Sequence, residues 1–130
     1  MIVVGYSADR HGKAALEHGI AEAKRRNTNL LVINATKGDA LADPHFARET
    51  EVHDVEEHLN ECGVDFELKQ PVGVEPAEEL LKAMDGPDAE LLVIGIRYRS
   101  PVGKLLLGSV AQQLLLECPK PVLAVKPDEH

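Results

Sequence analysis

Leu91-Leu92-Val93-Ile94-Gly95-Ile96-Arg97-Tyr98-Arg99-Ser100-Pro101-Val102-Gly103-Lys104-Leu105-Leu106-Leu107-Gly108-Ser109-Val110 is the stretch from which the fold can be read. Leu91 to Ile94 form a continuous apolar run closed by a glycine, the pattern of a strand covered on both faces. A basic loop with Arg97, Arg99 and Lys104 follows, and Gly108-Ser109 opens an amphipathic segment, Val110 to Cys118. Strand, glycine-bearing loop and helix start in that order make a plausible anion site. The first N–H groups of a helix have no partner within it and carry the positive end of its dipole. A tight turn at Gly95 and an ordinary cap at Ser109 account for the same residues. The chain contains neither G-x-x-x-x-G-K-[ST] nor G-x-G-x-x-G, so no phosphate signature decides between them.

On either side of this stretch the pattern repeats. Ile2-Val3-Val4-Gly5-Tyr6 and Leu30-Leu31-Val32-Ile33 predict two more buried strands. Val64 to Val72 alternates, with Val64, Phe66 and Leu68 against Asp65, Glu67 and Lys69, and predicts a strand at a sheet edge. Val122-Leu123-Ala124-Val125 predicts a fifth strand. A helix is predicted over 12–26, where Leu16, Ile20 and Ala23 share a face and Lys24, Arg25 and Arg26 fill the last turn. A second is predicted over 44–62, with Asp43 as cap, Pro44 in the first turn, Gly63 as stop and Val52, Val55, Leu59 and Cys62 as inner stripe. A third begins at Glu75-Pro76, with Leu80, Leu81 and Met84 turned inward. Strict alternation of buried strands and helices predicts an α/β fold, a five-stranded parallel sheet doubly wound with helices on both faces. Such sheets bind ligands beyond the carboxyl ends of the strands, where strand order reverses. The loops Ser7 to Gly12 and Gly95 to Gly108 are the candidates to meet there.

The 130 residues, 44% of them hydrophobic, suit one domain, 1–130, with a real core. A net charge of −8 and four aromatic residues argue against a nucleic-acid partner. No apolar run reaches bilayer length, so no membrane partner is expected. The chain enters its first strand at once, without a leader pattern, and a cytoplasmic location follows as the expectation. Cys62 and Cys118 are expected to be free thiols, since no C-x-x-C occurs. His53 and His58 are five residues apart and do not share a helical face well, so no metal site is expected. His53 with Glu57 is better spaced and reads as a solvated polar face. His11 borders the predicted site and could touch a phosphate or move a proton, although a surface-loop histidine with no task is the commoner case. Ser7, Asp9 and His11 are close in sequence, but closeness in a loop is not a triad, and no G-x-S-x-G exists. No catalytic residue is expected, and any ATPase activity would be slow.

Gly95, Gly108 and Ser109 also fit the pattern G-x2-G-x9-G-[ST]. With the ending Cys118-Pro119-Lys120-Pro121-Val122-Leu123-Ala124-Val125 and the opening Ile2-Val3-Val4-Gly5, followed by Ala14-Ala15-Leu16, the chain resembles the universal stress protein A family over essentially its full length. The resemblance implies a Rossmann-like fold of the adenine nucleotide alpha hydrolase-like kind. It implies ATP or AMP, with magnesium, across the carboxyl edge of the sheet, and a homodimer formed through the last strand, Val122 to Val125. Carried over residue by residue, the ligand would be held by Ser7 and Asp9 near the ribose and Ile33 at the adenine. Gly95 would turn the chain away from its strand, and Gly108, Ser109 and Val110 would present N–H groups to the phosphates; beside the family pattern, Arg97 and Arg99 would neutralise their charge. Two departures stand out. The second motif glycine is Tyr98 here, and the acidic residue expected after the first strand falls on Ser7, with Asp9 two residues later. The expected function is therefore a nucleotide-responsive regulatory protein of the stress response. The alternative is a dimeric interaction protein without cofactor, its site closed by Tyr98.

Overall fold

The computed structural model describes residues 1–38, 42–96 and 107–127. The expectations placed on Arg97, Tyr98 and Arg99 lie outside the described residues. Five strands, β1 (Ile2–Gly5), β2 (Leu30–Ile33), β3 (Phe66–Lys69), β4 (Leu91–Gly95) and β5 (Val122–Val125), alternate with four helices, α1 (Arg10–Arg26), α2 (Glu49–Cys62), α3 (Pro76–Met84) and α4 (Ser109–Glu117). All the pairings are parallel and the order is β3-β2-β1-β4-β5. The chain winds outward from β1 to β3, then returns to the other side of β1 and winds outward again. The strand order therefore reverses between β1 and β4.

The period-2 geometry of a strand sends successive side chains to opposite faces, and each face has its own core. Ile2, Val4, Leu30, Val32, Leu91 and Val93 meet Leu16 and Ile20 of α1 and Val55 and Leu59 of α2. Val3, Leu31, Ile33, Leu92 and Ile94 meet Leu80 and Met84 of α3 and Ala111 and Leu114 of α4. The three central strands are buried on both faces, which is why they read as unbroken apolar runs. β3 is an edge strand, as its alternation predicts, and its Glu67 and Lys69 are exposed. β5 forms the other edge and is mostly half-buried.

Three boundaries differ by two residues or more from the sequence reading. α1 begins at Arg10 rather than near Gly12, because Asp9 caps it by accepting the Gly12 N–H at 2.9 Å. β3 covers Phe66–Lys69 and not the whole of Val64 to Val72; past it only an isolated bridge joins Thr36 to Val72. α2 begins at Glu49, so Pro44 is not in its first turn and Asp43 is not its cap. Asp43 instead accepts the Thr36 hydroxyl at 2.7 Å and the His45 N–H at 2.9 Å. Those bonds, together with Asn34, draw residues 43–47 across the end of the sheet and delay the helix.

Candidate functional site

A cavity of about 600 Å³ opens at the carboxyl edge of the sheet, over the point where strand order reverses. One wall is apolar: Ile33 and Ile94 from the strand ends, Leu80 from α3, and Ala111 and Leu114 from α4. The other is polar: Ser7, Asp9 and His11 after β1, Asn34 after β2, and Asp43 and His45 from the segment that crosses the edge.

Asn34 organises the polar wall. It is 2% exposed and uses its whole amide. Nδ2 donates to the Tyr6 carbonyl at 2.8 Å and the His45 carbonyl at 3.1 Å. Oδ1 accepts from the Ala47 N–H at 2.7 Å and from Gln70 Nε2 at 3.0 Å. Two donors and two acceptor sites are all that an asparagine amide has. One side chain thus ties the end of β1, the crossing segment and the loop after β3 together.

Asp9 is the second anchor. Oδ1 accepts from the Gly12 N–H and from the Ser7 hydroxyl at 2.8 Å, and Oδ2 lies 3.1 Å from His45 Nδ1. His11 Nδ1 is 3.8 Å from Oδ1, too far for a hydrogen bond but close enough to feel its charge. Burial pushes the Asp9 carboxyl up, but the Gly12 and Ser7 hydrogen bonds and the two imidazoles outweigh it and hold it below the usual range. The Asp43 carboxyl is lowered as well, chiefly by the Thr36 hydroxyl; burial opposes this, and the His45 N–H and imidazole assist it. Tyr6, which lines the cavity floor, donates its hydroxyl to Glu51 of α2 at 3.0 Å. Burial first, then that hydrogen bond and the charges of Glu51 and Asp9, push its phenol up, so it stays neutral.

The two motif glycines have different reasons. Gly95 was expected to turn the chain away from its strand, but it is the last residue of β4 and still pairs with Val125. A Cβ there would stand 2.1 Å from the carbonyl oxygen of His11, so the glycine is required by the close approach of α1. Gly108 caps α4 at φ −63°, a conformation open to any residue, and a Cβ there would meet nothing within 4 Å among the described residues. Ser109 is therefore not the cap; it is the first residue of α4, is exposed, and is absent from the described lining of the cavity.

Ser7, Asp9, Ile33, Gly95, Gly108 and Val110 all border the cavity, although they come from four separate parts of the chain. Asp9 differs from its expected part, since both of its oxygens are taken by the protein itself. Sequence reasoning missed the part played by His45 and Asp43. Their place depends on the crossing segment, and that depends on Asn34, a contact between residues eleven and more positions apart that leaves no local pattern. His11, read as a loop residue, lies in the first turn of α1 with its side chain 20% exposed.

The family model described as the Universal stress protein family matches residues 1–126. A universal stress protein of Mycolicibacterium smegmatis is 77% identical over 127 residues, which are 98% of each chain. Among solved structures, a universal stress protein from Archaeoglobus fulgidus superposes with a TM-score of 0.77 at 31% identity, covering 96% of this chain and 97% of that one. A universal stress protein from Archaeoglobus fulgidus in complex with dAMP gives a TM-score of 0.64 at 27% identity, covering 96% of each.

Proposed function

The chain belongs to the universal stress protein family, and from that premise we propose that it is a nucleotide-responsive regulatory protein that binds ATP or AMP in the cavity at the carboxyl edge of its sheet. Gly108 is the observation that carries the reading. Nothing in its backbone angles or its described surroundings calls for a glycine, so the missing side chain leaves room for a ligand at the start of α4. Phosphates placed there meet the N–H groups of Ser109 and Val110 and the positive end of the helix dipole. The base lies over the apolar wall near Ile33, Leu80 and Ile94. The ribose lies by Ser7, with Asp9 holding Ser7 in place rather than reaching the ligand. Arg97 and Arg99, which lie between β4 and α4 in the sequence, are read here as adding positive charge. The dAMP complex of the Archaeoglobus fulgidus relative supports an adenine nucleotide as the ligand class.

Calorimetric titration with ATP and then AMP, magnesium present, tests this. Micromolar binding that Gly108→Val abolishes supports the reading; no heat at high ligand concentration in a folded sample overturns it. The protein acts as a homodimer in this proposal, paired through the edge strand β5. Val110, Leu115 and Leu116 of α4 add exposed apolar surface, with Leu116 77% exposed. Sedimentation velocity with and without AMP reads whether the pair forms and whether occupancy shifts it.

A further inference from the structure

The described rim of the cavity poses an electrostatic problem for an anionic ligand. Asp9 and Asp43 put two carboxylates there, and no Lys or Arg is among the described lining residues. The groups on that lining able to become cationic are His11 and His45. Their positions differ. His45 gives its Nδ1 to Asp9 at 3.1 Å and is 64% exposed. His11 is only 20% exposed, and at 3.8 Å from Asp9 its N–H is not used up by a hydrogen bond. Its carbonyl closes on Gly95 at the end of β4, so the residue sits where strand order reverses. That is the part of the edge from which a phosphate would face the start of α4.

We infer, resting on the nucleotide reading above, that the His11 side chain meets the phosphate of the ligand, and that it does so as imidazolium, so that binding is linked to proton uptake. A phosphate seated beside the imidazole favours its charged form. Asp9 faces His11 from the loop after β1, with His45 beyond Asp9 on the crossing segment. Asp43 stands on that same segment and is held by Thr36. Among the described residues, β4 brings Ile94 and Gly95 to the cavity and the start of α4 brings Gly108, Val110 and Ala111, none with a charged side chain. Lys126 follows β5 at the same edge and is itself engaged. An imidazole is the side chain whose charge changes between about pH 5 and 8, and charge-assisted hydrogen bonds to phosphate are the strong ones.

The test is the dissociation constant of AMP at about pH 6 and about pH 8 for the natural protein, His11→Gln and His45→Gln. Titration of AMP itself cancels in each variant-to-natural ratio. His11→Gln is expected to weaken binding roughly tenfold at the lower pH and less than about twofold at the higher. In calorimetry at about pH 7, run in buffers of different ionisation enthalpy, the natural protein takes up more protons per AMP bound than His11→Gln does. A ratio for His11→Gln that does not change with pH overturns the inference while leaving nucleotide binding intact. A pH dependence that survives His11→Gln and vanishes in His45→Gln also overturns it. No AMP binding by the natural protein at either pH overturns the nucleotide reading and this inference with it.

Discussion

Replacing Asn34 by leucine keeps the branching and the number of heavy atoms and removes four hydrogen bonds from a side chain that is 2% exposed. The loss is not four times one bond, because two of the partners have other bonds. The His45 carbonyl still accepts from the Ala8 N–H at 2.8 Å, and Gln70 Nε2 still donates to the Ala47 carbonyl at 2.9 Å. The Tyr6 carbonyl and the Ala47 N–H are left, and Ala47 is 5% exposed. A buried polar group without a partner costs about 1–3 kcal/mol, so the pair costs about 2–6 kcal/mol, a large share of a typical domain's stability. With unfolding entropy near 2.1 cal/mol/K per residue, a loss of about 3 kcal/mol lowers Tm by roughly 10 °C in a chain of this length. Thermal and urea unfolding followed by circular dichroism reads both figures. Gln70→Leu removes only half-buried bonds and is expected to cost about 1 kcal/mol or less. A drop for Asn34→Leu under about 3 °C, or one no larger than that for Gln70→Leu, refutes the idea that this amide holds the crossing segment.

Three further outcomes are expected. Gly95→Ala places a methyl 2.1 Å from the His11 carbonyl and forces α1 away from β4, costing about 1–3 kcal/mol in urea unfolding. Gly108→Ala, with open space among the described residues around its Cβ, leaves urea stability within about 0.5 kcal/mol but weakens AMP binding in calorimetry. Asp9 and Asp43 are both lowered in the folded state, so each contributes stability that is fully present above the unfolded carboxyl value near 3.9 and is lost as pH falls through the lower folded value. Asp9→Asn is therefore expected to flatten the loss of stability in a urea series from about pH 5 down to about pH 2, and an unchanged acid limb counts against the Asp9 network.

The sequence by itself determined the class of fold. Leu30 to Ile33 and Leu91 to Ile94 are buried on both faces, so their apolar character is continuous and shows in any window. Phe66 to Lys69 alternates because one face of an edge strand meets water, and that too is a local signal. The motif glycines and the helix start after β4 were legible for the same reason, since their spacing lies within one loop and one turn. Tertiary structure decided the rest. The start of α2 moved from Pro44 to Glu49 because Thr36 and Asn34, from the loop after β2, hold residues 43–47. Gly95 turned out to be a contact glycine because α1 crosses β4 at that residue, which no spacing within the loop could reveal. The polar wall of Asp9, His11, Asn34, Asp43 and His45 exists only because the connections after β1 and β2 meet at one edge of the sheet. Periodicity records what each residue's own strand or helix requires; it carries no record of which distant loop will supply a hydrogen-bond partner.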